Sequence, residues 1–282
     1  MSSPGSTSCQ VTGAIVFSHA NGFPAGTYRV LFDAWRAAGW QVHAVGKFGH
    51  DPRHPVTSNW PHVRDELIGF IEREVDLSSR GAPYLVGHSL GGFLSVLAAS
   101  KRPDLARGVV LLDSPIVAGW RASTLRFAKA TGIGERYSPA FVSKRRRQHW
   151  PSAEAALTHF ASKAAFARWQ PEVLRDYIAS GTEPDAANGQ TLAFRREVET
   201  AIYNTLPHHI GALLRRQPLR CPVAFIGGSE SAEVRMVGLK ATQRLTQGRM
   251  STVPGSHLYP FERPAETAAE VLGWLGKLKA AS

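Results

Sequence analysis

The chain has 282 residues, of which 43% are hydrophobic and 20% charged, and it carries a formal charge of +11. That apolar share is enough to bury one large core, and together with 26 Gly and 18 Pro it excludes disordered, low-complexity and collagen-like chains. The length fits one domain with an insertion, or two domains. Cys9 lies in a Ser-rich tail and Cys221 at the start of an apolar run, which argues against a disulfide framework. Residues 1–10 lack a basic segment followed by an apolar one, and no run of about 18 apolar residues occurs. The expected address is the cytoplasm, without stable membrane insertion.

Residues 14–18 (AIVFS) form a short apolar run closed by the loop His19-Ala20-Asn21-Gly22-Phe23-Pro24, which predicts a buried strand and its turn. A helical pattern follows through Tyr28, Leu31, Phe32 and Trp35, with Gly39 as its stop. Residues 41–45 predict a second strand, 46–61 a polar loop rich in His and Pro, and Val63, Leu67, Ile68, Ile71 and Val75 recur at helical spacing. Residues 83–86 predict a third strand, which leads into Gly87-His88-Ser89-Leu90-Gly91-Gly92 and a buried helix over 93–98. Residues 108–113 and 222–227 predict two more strands. A weaker strand at 249–253 precedes Pro254-Gly255-Ser256-His257, and 265–275 closes the chain as an amphipathic helix. Strands alternating with helices predict an α/β fold whose sheet, about six strands and mostly parallel, is covered on both faces.

Between 116 and 219 the strand signal stops and helices are expected, over 153–169, 171–180 and 194–203 among others. An insertion at the carboxyl end of a strand lies over the place where open α/β sheets bind ligands. The expected organisation is therefore a core of 1–115 and 220–282 with a helical cap of 116–219. Most of the cap aromatics, Trp120, Phe127, Phe160, Phe166, Trp169, Tyr177 and Tyr203, are expected to pack the cap internally. The basic run Lys144-Arg145-Arg146-Arg147, followed by His149, has the charge to attract nucleic acid, anionic lipid or an acidic substrate such as a coenzyme A thioester. It is short and no nucleic-acid motif accompanies it, so it reads as a solvated helix face and no nucleic-acid partner is expected.

Gly87-His88-Ser89-Leu90-Gly91 matches G-x-S-x-G between an apolar strand and an apolar helix, the context that the motif requires. On such a turn the serine hydroxyl projects from the sheet, and Gly87 and Gly91 allow close approach of strand and helix. A serine hydroxyl needs a base to take its proton. His257 has the best setting, in a loop after the last strand and so at the same sheet edge as Ser89. His88 is expected to point away from Ser89, while His208 and His209 at most line a pocket. No Cys or His pair has metal-ligand spacing, and neither G-x-G-x-x-G nor a P-loop occurs, so neither a metal nor an organic cofactor is expected.

Together the elbow, the loop 19–24 and Gly255-Ser256-His257-Leu258 resemble the capped α/β-hydrolases, over nearly the whole chain. The resemblance implies acyl transfer from a small-molecule ester or thioester. It also implies an oxyanion hole made by the amide of Leu90 and an amide within Ala20 to Asn21, each donor contributing about 3–4 kcal/mol. His19 is expected to brace its loop. Only 13 residues precede Ala14, so the hairpin that commonly opens the fold is expected to be missing or vestigial. The acid that orients the histidine has two candidates: Glu230 after the penultimate strand, and Asp113 at the end of the strand leading into the cap. Asp113 is slightly favoured, because Glu230 lies in a polar stretch suited to starting a helix. Serine at the elbow argues against the dehalogenases and epoxide hydrolases of this fold, which use aspartate. Carbon–carbon bond hydrolysis of a dienoic diketone, or a non-catalytic ligand-binding role, remains as an alternative. The sequence assigns no oligomeric state.

Overall fold

A computed structural model describes residues 12–117, 143–185 and 189–280. Cys9, Trp120, Phe127, the tail ahead of Thr12 and positions 118–142 of the expected cap lie outside the described residues.

The strands are β1 (Gly13–Ser18), β2 (Trp40–Ala44), β3 (Tyr84–His88), β4 (Gly108–Leu112), the short β5 (His149–Trp150), β6 (Thr182–Pro184) and β7 (Gln190–Leu192), then β8 (Val223–Gly228) and β9 (Met250–Val253). Six of them form one sheet in the order β2-β1-β3-β4-β8-β9. Every pairing in it is parallel. Among the described residues no strand precedes β1, and β2 forms the edge on that side.

The alternation of side chains along each strand divides the core into two layers. Ile15, Phe17, Val86, Val110, Leu112 and Ile226 face one side, where the helices Arg29–Ala37 and Pro264–Ala280 pack together. Val16, Leu85, Val109, Leu111 and Phe225 face the other, under the paired helices Pro61–Glu74 and Leu90–Lys101. Because both faces are covered, the strands read as continuous apolar runs. Among the described residues no helix is long and apolar enough to cross a membrane.

The segment between β4 and β8 differs from the all-helical expectation. It holds the helices Ala153–Ala161, Pro171–Gly181, Arg196–Asn204 and Ile210–Arg216, and also a small antiparallel sheet in the order β5-β7-β6. Strands of two or three residues are too short to carry a period-two signal. The helix expected over 153–169 stops at Ala161, and the chain runs on in turns, where Phe166 N donates to Lys163 O and Trp169 N to Phe166 O. Of the expected aromatics described here, Phe160, Trp169 and Tyr177 are buried, Phe166 is in ring contact with all three, and Tyr203 is half-buried; the packing is not purely internal, because Phe166, Trp169 and Tyr177 also meet Phe23 outside the segment. The basic run is a solvated helix face only in part: Lys144, Arg145 and Arg147 are exposed, and the helix ends before Arg146. Residues 146–148 are irregular, and Arg146 turns inward to Glu199 Oε2 and Tyr177 Oη, each at 2.7 Å.

Candidate active site

The sheet register aligns Ser18 with Gly87, His88 with Leu112, Leu112 with Ile226, and Gly228 with Val253. The loops after β1, β3, β4, β8 and β9 therefore open on one carboxyl edge. From β1 the chain crosses to β2 on one side, and β3 pairs on the other, so the crevice at the reversal lies between the loop 19–24 and the β3 elbow.

At the elbow Ser89 has φ +53 and ψ −114, a strained conformation for a residue with a side chain. Its amide donates to Leu112 O at 3.0 Å, while its carbonyl accepts from Gly92 N and from Ser114 Oγ. The turn is this tight only because its glycines lack Cβ. A Cβ on Gly87 would overlap the Gly91 carbonyl, and one on Gly91 would overlap the carbonyl of Ser18 in β1. Leu90 opens the helix Leu90–Lys101, whose first amides have no intrahelical acceptor and point towards the edge.

Asp113 follows β4 at φ +46, with its side chain fully buried. Three donors converge on it: Gly228 N reaches Oδ1 at 2.7 Å, while Ser231 Oγ at 2.5 Å and His257 Nδ1 at 2.6 Å reach Oδ2. Glu233 Oε2 lies 3.8 Å from the same Nδ1. Burial alone lowers the basicity of His257, but the hydrogen bond to Asp113, then the charges of Glu233 and Asp113, outweigh it and raise its pKa above the ordinary 6.5. The Nδ1 proton faces Asp113, leaving Nε2 as the basic nitrogen. Glu230 turns elsewhere, to Arg168 Nη1 at 2.7 Å in an exposed pair. The polar stretch around it does start a helix, Ala232–Val237, capped by Ser231 Oγ on Val234 N.

His88 is bonded at both nitrogens, to Tyr28 and to the His257 carbonyl. Ala20 N donates to Tyr28 Oη at 3.1 Å, so the Tyr28 hydroxyl donates to His88 Nδ1 at 2.7 Å, and His88 Nε2–H donates to the His257 carbonyl at 2.9 Å. Burial, then the neighbouring His257, holds the His88 pKa well below its ordinary value, which keeps this neutral tautomer. The network ties the loop after β1, the elbow and the His257 loop together, and it occupies the Ala20 amide. His19 is a brace: it accepts from Phe48 N through Nε2, and burial lowers its pKa to about 4. The amide of His208 donates to Asn59 Oδ1 at 3.1 Å, in the loop that follows β2.

Asp113, Glu233 and His257 offer ligand atoms within 4.8 Å of one another. Their geometry is that of a hydrogen-bonded acid and imidazole, because the bond to Nδ1 and the donors from Gly228 and Ser231 already engage both Asp113 oxygens. The sequence reading missed Ser231, Glu233 and Tyr28. A serine just ahead of a helix was the only visible sign of the first, and nothing in an apolar helical stretch distinguishes a tyrosine whose hydroxyl is bonded from one that fills space.

The curated relatives include the monoglyceride lipase of Mus musculus, 32% identical over 127 residues, which span 42% of this chain and 40% of that protein. The chain thus aligns with about two fifths of that lipase. Ethanol acetyltransferase 1 of Hanseniaspora uvarum is 22% identical over 236 residues, 79% of this chain and 67% of the relative. Among solved structures, E-2-(acetamidomethylene)succinate hydrolase superposes with a TM-score of 0.69 at 23% identity, covering 94% of this chain and 91% of its own. The thioesterase domain of the curacin biosynthetic pathway gives 0.70 at 18% identity, covering 94% and 92%. The model of the alpha/beta hydrolase family matches residues 15–270, and with that match over the whole sheet and its edge loops, the chain belongs to this family.

Proposed function

We propose that the chain is a serine hydrolase that cleaves a carboxylic ester or thioester through an acyl-Ser89 intermediate. The observation that carries the reading is the Asp113–His257 pair, bonded at 2.6 Å on the same sheet edge as the strained Ser89 elbow. In this mechanism His257 Nε2 takes the Ser89 proton as Oγ attacks the acyl carbon, and Asp113 stabilises the imidazolium that forms. His257 then protonates the leaving alcohol or thiol, and later deprotonates the water that releases the acid. Leu90 N is one oxyanion donor. With Ala20 N engaged by Tyr28, Asn21 N is the second, on the loop that the family resemblance indicates. The segment 116–219 acts as a cap: its Phe166, Trp169 and Tyr177 meet Phe23 of the loop after β1, and Trp169 meets Phe261 just beyond His257.

The lipase and thioesterase among the similar proteins support an acyl-enzyme route, and the acetyltransferase supports one in which an alcohol replaces water. The decisive experiment is intact-protein mass spectrometry after a fluorophosphonate probe. One adduct is expected, absent in Ser89→Ala, with ester turnover lost by about 10⁵-fold or more in that variant. No adduct on the folded protein would overturn the reading in favour of a binding role. Product analysis on ester and dienoic diketone panels then separates acyl transfer from carbon–carbon cleavage.

A further inference from the structure

The charge of the run Lys144–Arg147 has no part in the mechanism above, but three of its members line a cavity of about 680 Å³ between the segment that joins β4 to β8 and the loop after β1. Arg145, Arg146, Arg147 and Lys163 contribute four cations, and no carboxylate lies among the described lining residues. Arg146 is paired with Glu199. Arg147 Nε donates to the His149 carbonyl at 2.8 Å, and its guanidinium lies over the Trp150 ring. Burial, and then the charges of Lys163, Arg147 and Arg146, lower the pKa of the lining His159. The apolar lining is Phe160, Phe166 and Phe23, so the cavity offers a cationic rim and aromatic walls together.

Its position relative to the site is fixed by Gly22. A Cβ there would stand 3.0 Å from Glu199 Oε1 and 3.2 Å from Arg146 Nη1, so the Arg146–Glu199 pair lies against the backbone next to Asn21. Phe23, the next residue, is a wall of the cavity, and its ring also packs on Phe261, which contacts His88. A group seated in the cavity thus lies beside the loop that carries the second oxyanion donor.

We infer that this cavity selects substrates that carry an anionic oxygen group, carboxylate or phosphate, on an apolar arm remote from the scissile bond. The inference rests on the Ser89 reading for its chemistry but not for its binding. Guanidinium groups bond carboxylate and phosphate oxygens through paired N–H donors, and the phenyl rings exclude water from the arm.

The test uses the Ser89→Ala protein, so that binding is measured without turnover. Calorimetry compares 6-phenylhexanoate and 6-phenylhexyl phosphate with the neutral 6-phenylhexanol. Either anion is expected to bind about tenfold or more tightly than the alcohol at low salt, and the anion that binds better identifies the head group. Lys163→Glu is expected to remove most of that advantage, whereas Lys279→Glu, an equal change in net charge at an exposed position on the last helix, is expected to leave it. Equal affinity for anions and alcohol would overturn the inference, as would an equal loss in both charge variants. Binding to vesicles of phosphatidylcholine with phosphatidylserine, without discrimination among the three soluble probes, would assign the cations to a membrane surface and also overturn it. The fluorophosphonate experiment is independent of all these arms, so failure of the cavity and failure of the Ser89 reading give different results.

Discussion

The end of β4 and the loop after β8 each bring a carboxylate towards the edge where His257 lies, and their surroundings are opposite. Asp113 has no exposed side-chain surface and receives three donors, whereas the Glu230 side chain is 57% exposed and pairs with Arg168. An exposed ion pair contributes about 0–1 kcal/mol and is screened by salt. A buried carboxylate held by several donors keeps one orientation, and so can fix the tautomer of an imidazole. The comparison teaches that the β8 loop supports the carboxylate of β4: Gly228 N and Ser231 Oγ hold Asp113 in place.

Asp113→Asn is the strongest way to break this arrangement. Gly228 N still needs an acceptor at Oδ1, so the amide nitrogen turns towards Ser231 and His257, and the imidazole loses the acceptor that fixes its tautomer. Steady-state kinetics on an ester are expected to show kcat reduced by about 10³–10⁴-fold, with the near-UV circular dichroism unchanged. Activity within tenfold of the parent would mean that another group orients His257.

Ser231→Ala tests the support given by the β8 loop. It removes the 2.5 Å bond to Asp113 and the cap on Val234 N. The expected losses are about 1 kcal/mol of stability by denaturant titration and about tenfold in kcat. Ser231→Thr keeps the hydroxyl and is expected to recover both.

Glu233→Gln is subtler, because its carboxylate acts on His257 only through charge. In the proposed mechanism His257 works as a neutral base, so kcat/KM is expected to rise with pH through the His257 pKa, which stands above 6.5. Removing a nearby negative charge disfavours the imidazolium, and the acid limb is expected to move to lower pH by roughly half a unit at low ionic strength and by less in salt. An unmoved limb would show that Asp113 alone sets this pKa.

The fold and the first half of the site were legible because both rest on local pattern. Buried parallel strands leave apolar runs such as 14–17 and 109–112, and the elbow leaves its glycines at fixed spacing around Ser89. What was not legible depends on chain segments far apart in sequence. Asp113 and Ser231 are separated by 118 positions and meet only because β4 pairs with β8. The inward turn of Arg146 likewise depends on Glu199 and Tyr177, and a run of four basic residues gives no sign of which one turns inward. The strands β5, β6 and β7 were missed because two or three residues carry no periodicity.

Glu230→Gln is the change expected to do least, and for that reason it sharpens the comparison most. In sequence Glu230 occupies the spacing after the penultimate strand where the fold often keeps its acid, so an assignment from that spacing alone predicts a large loss. In the folded chain its backbone serves the edge, with the amide donating to Gly255 O at 2.8 Å, while its carboxylate faces Arg168 and water. The substitution leaves that amide in place and removes one exposed ion pair. Arg168 keeps Glu262 Oε2 at 3.2 Å as a second partner. The expected outcome is kcat within about twofold of the parent and a stability change below about 1 kcal/mol, measured beside Asp113→Asn on the same ester. A large loss in Glu230→Gln with little in Asp113→Asn would reverse the roles of the two carboxylates, and would require the β8 loop to rearrange so that Glu230 reaches His257 during turnover.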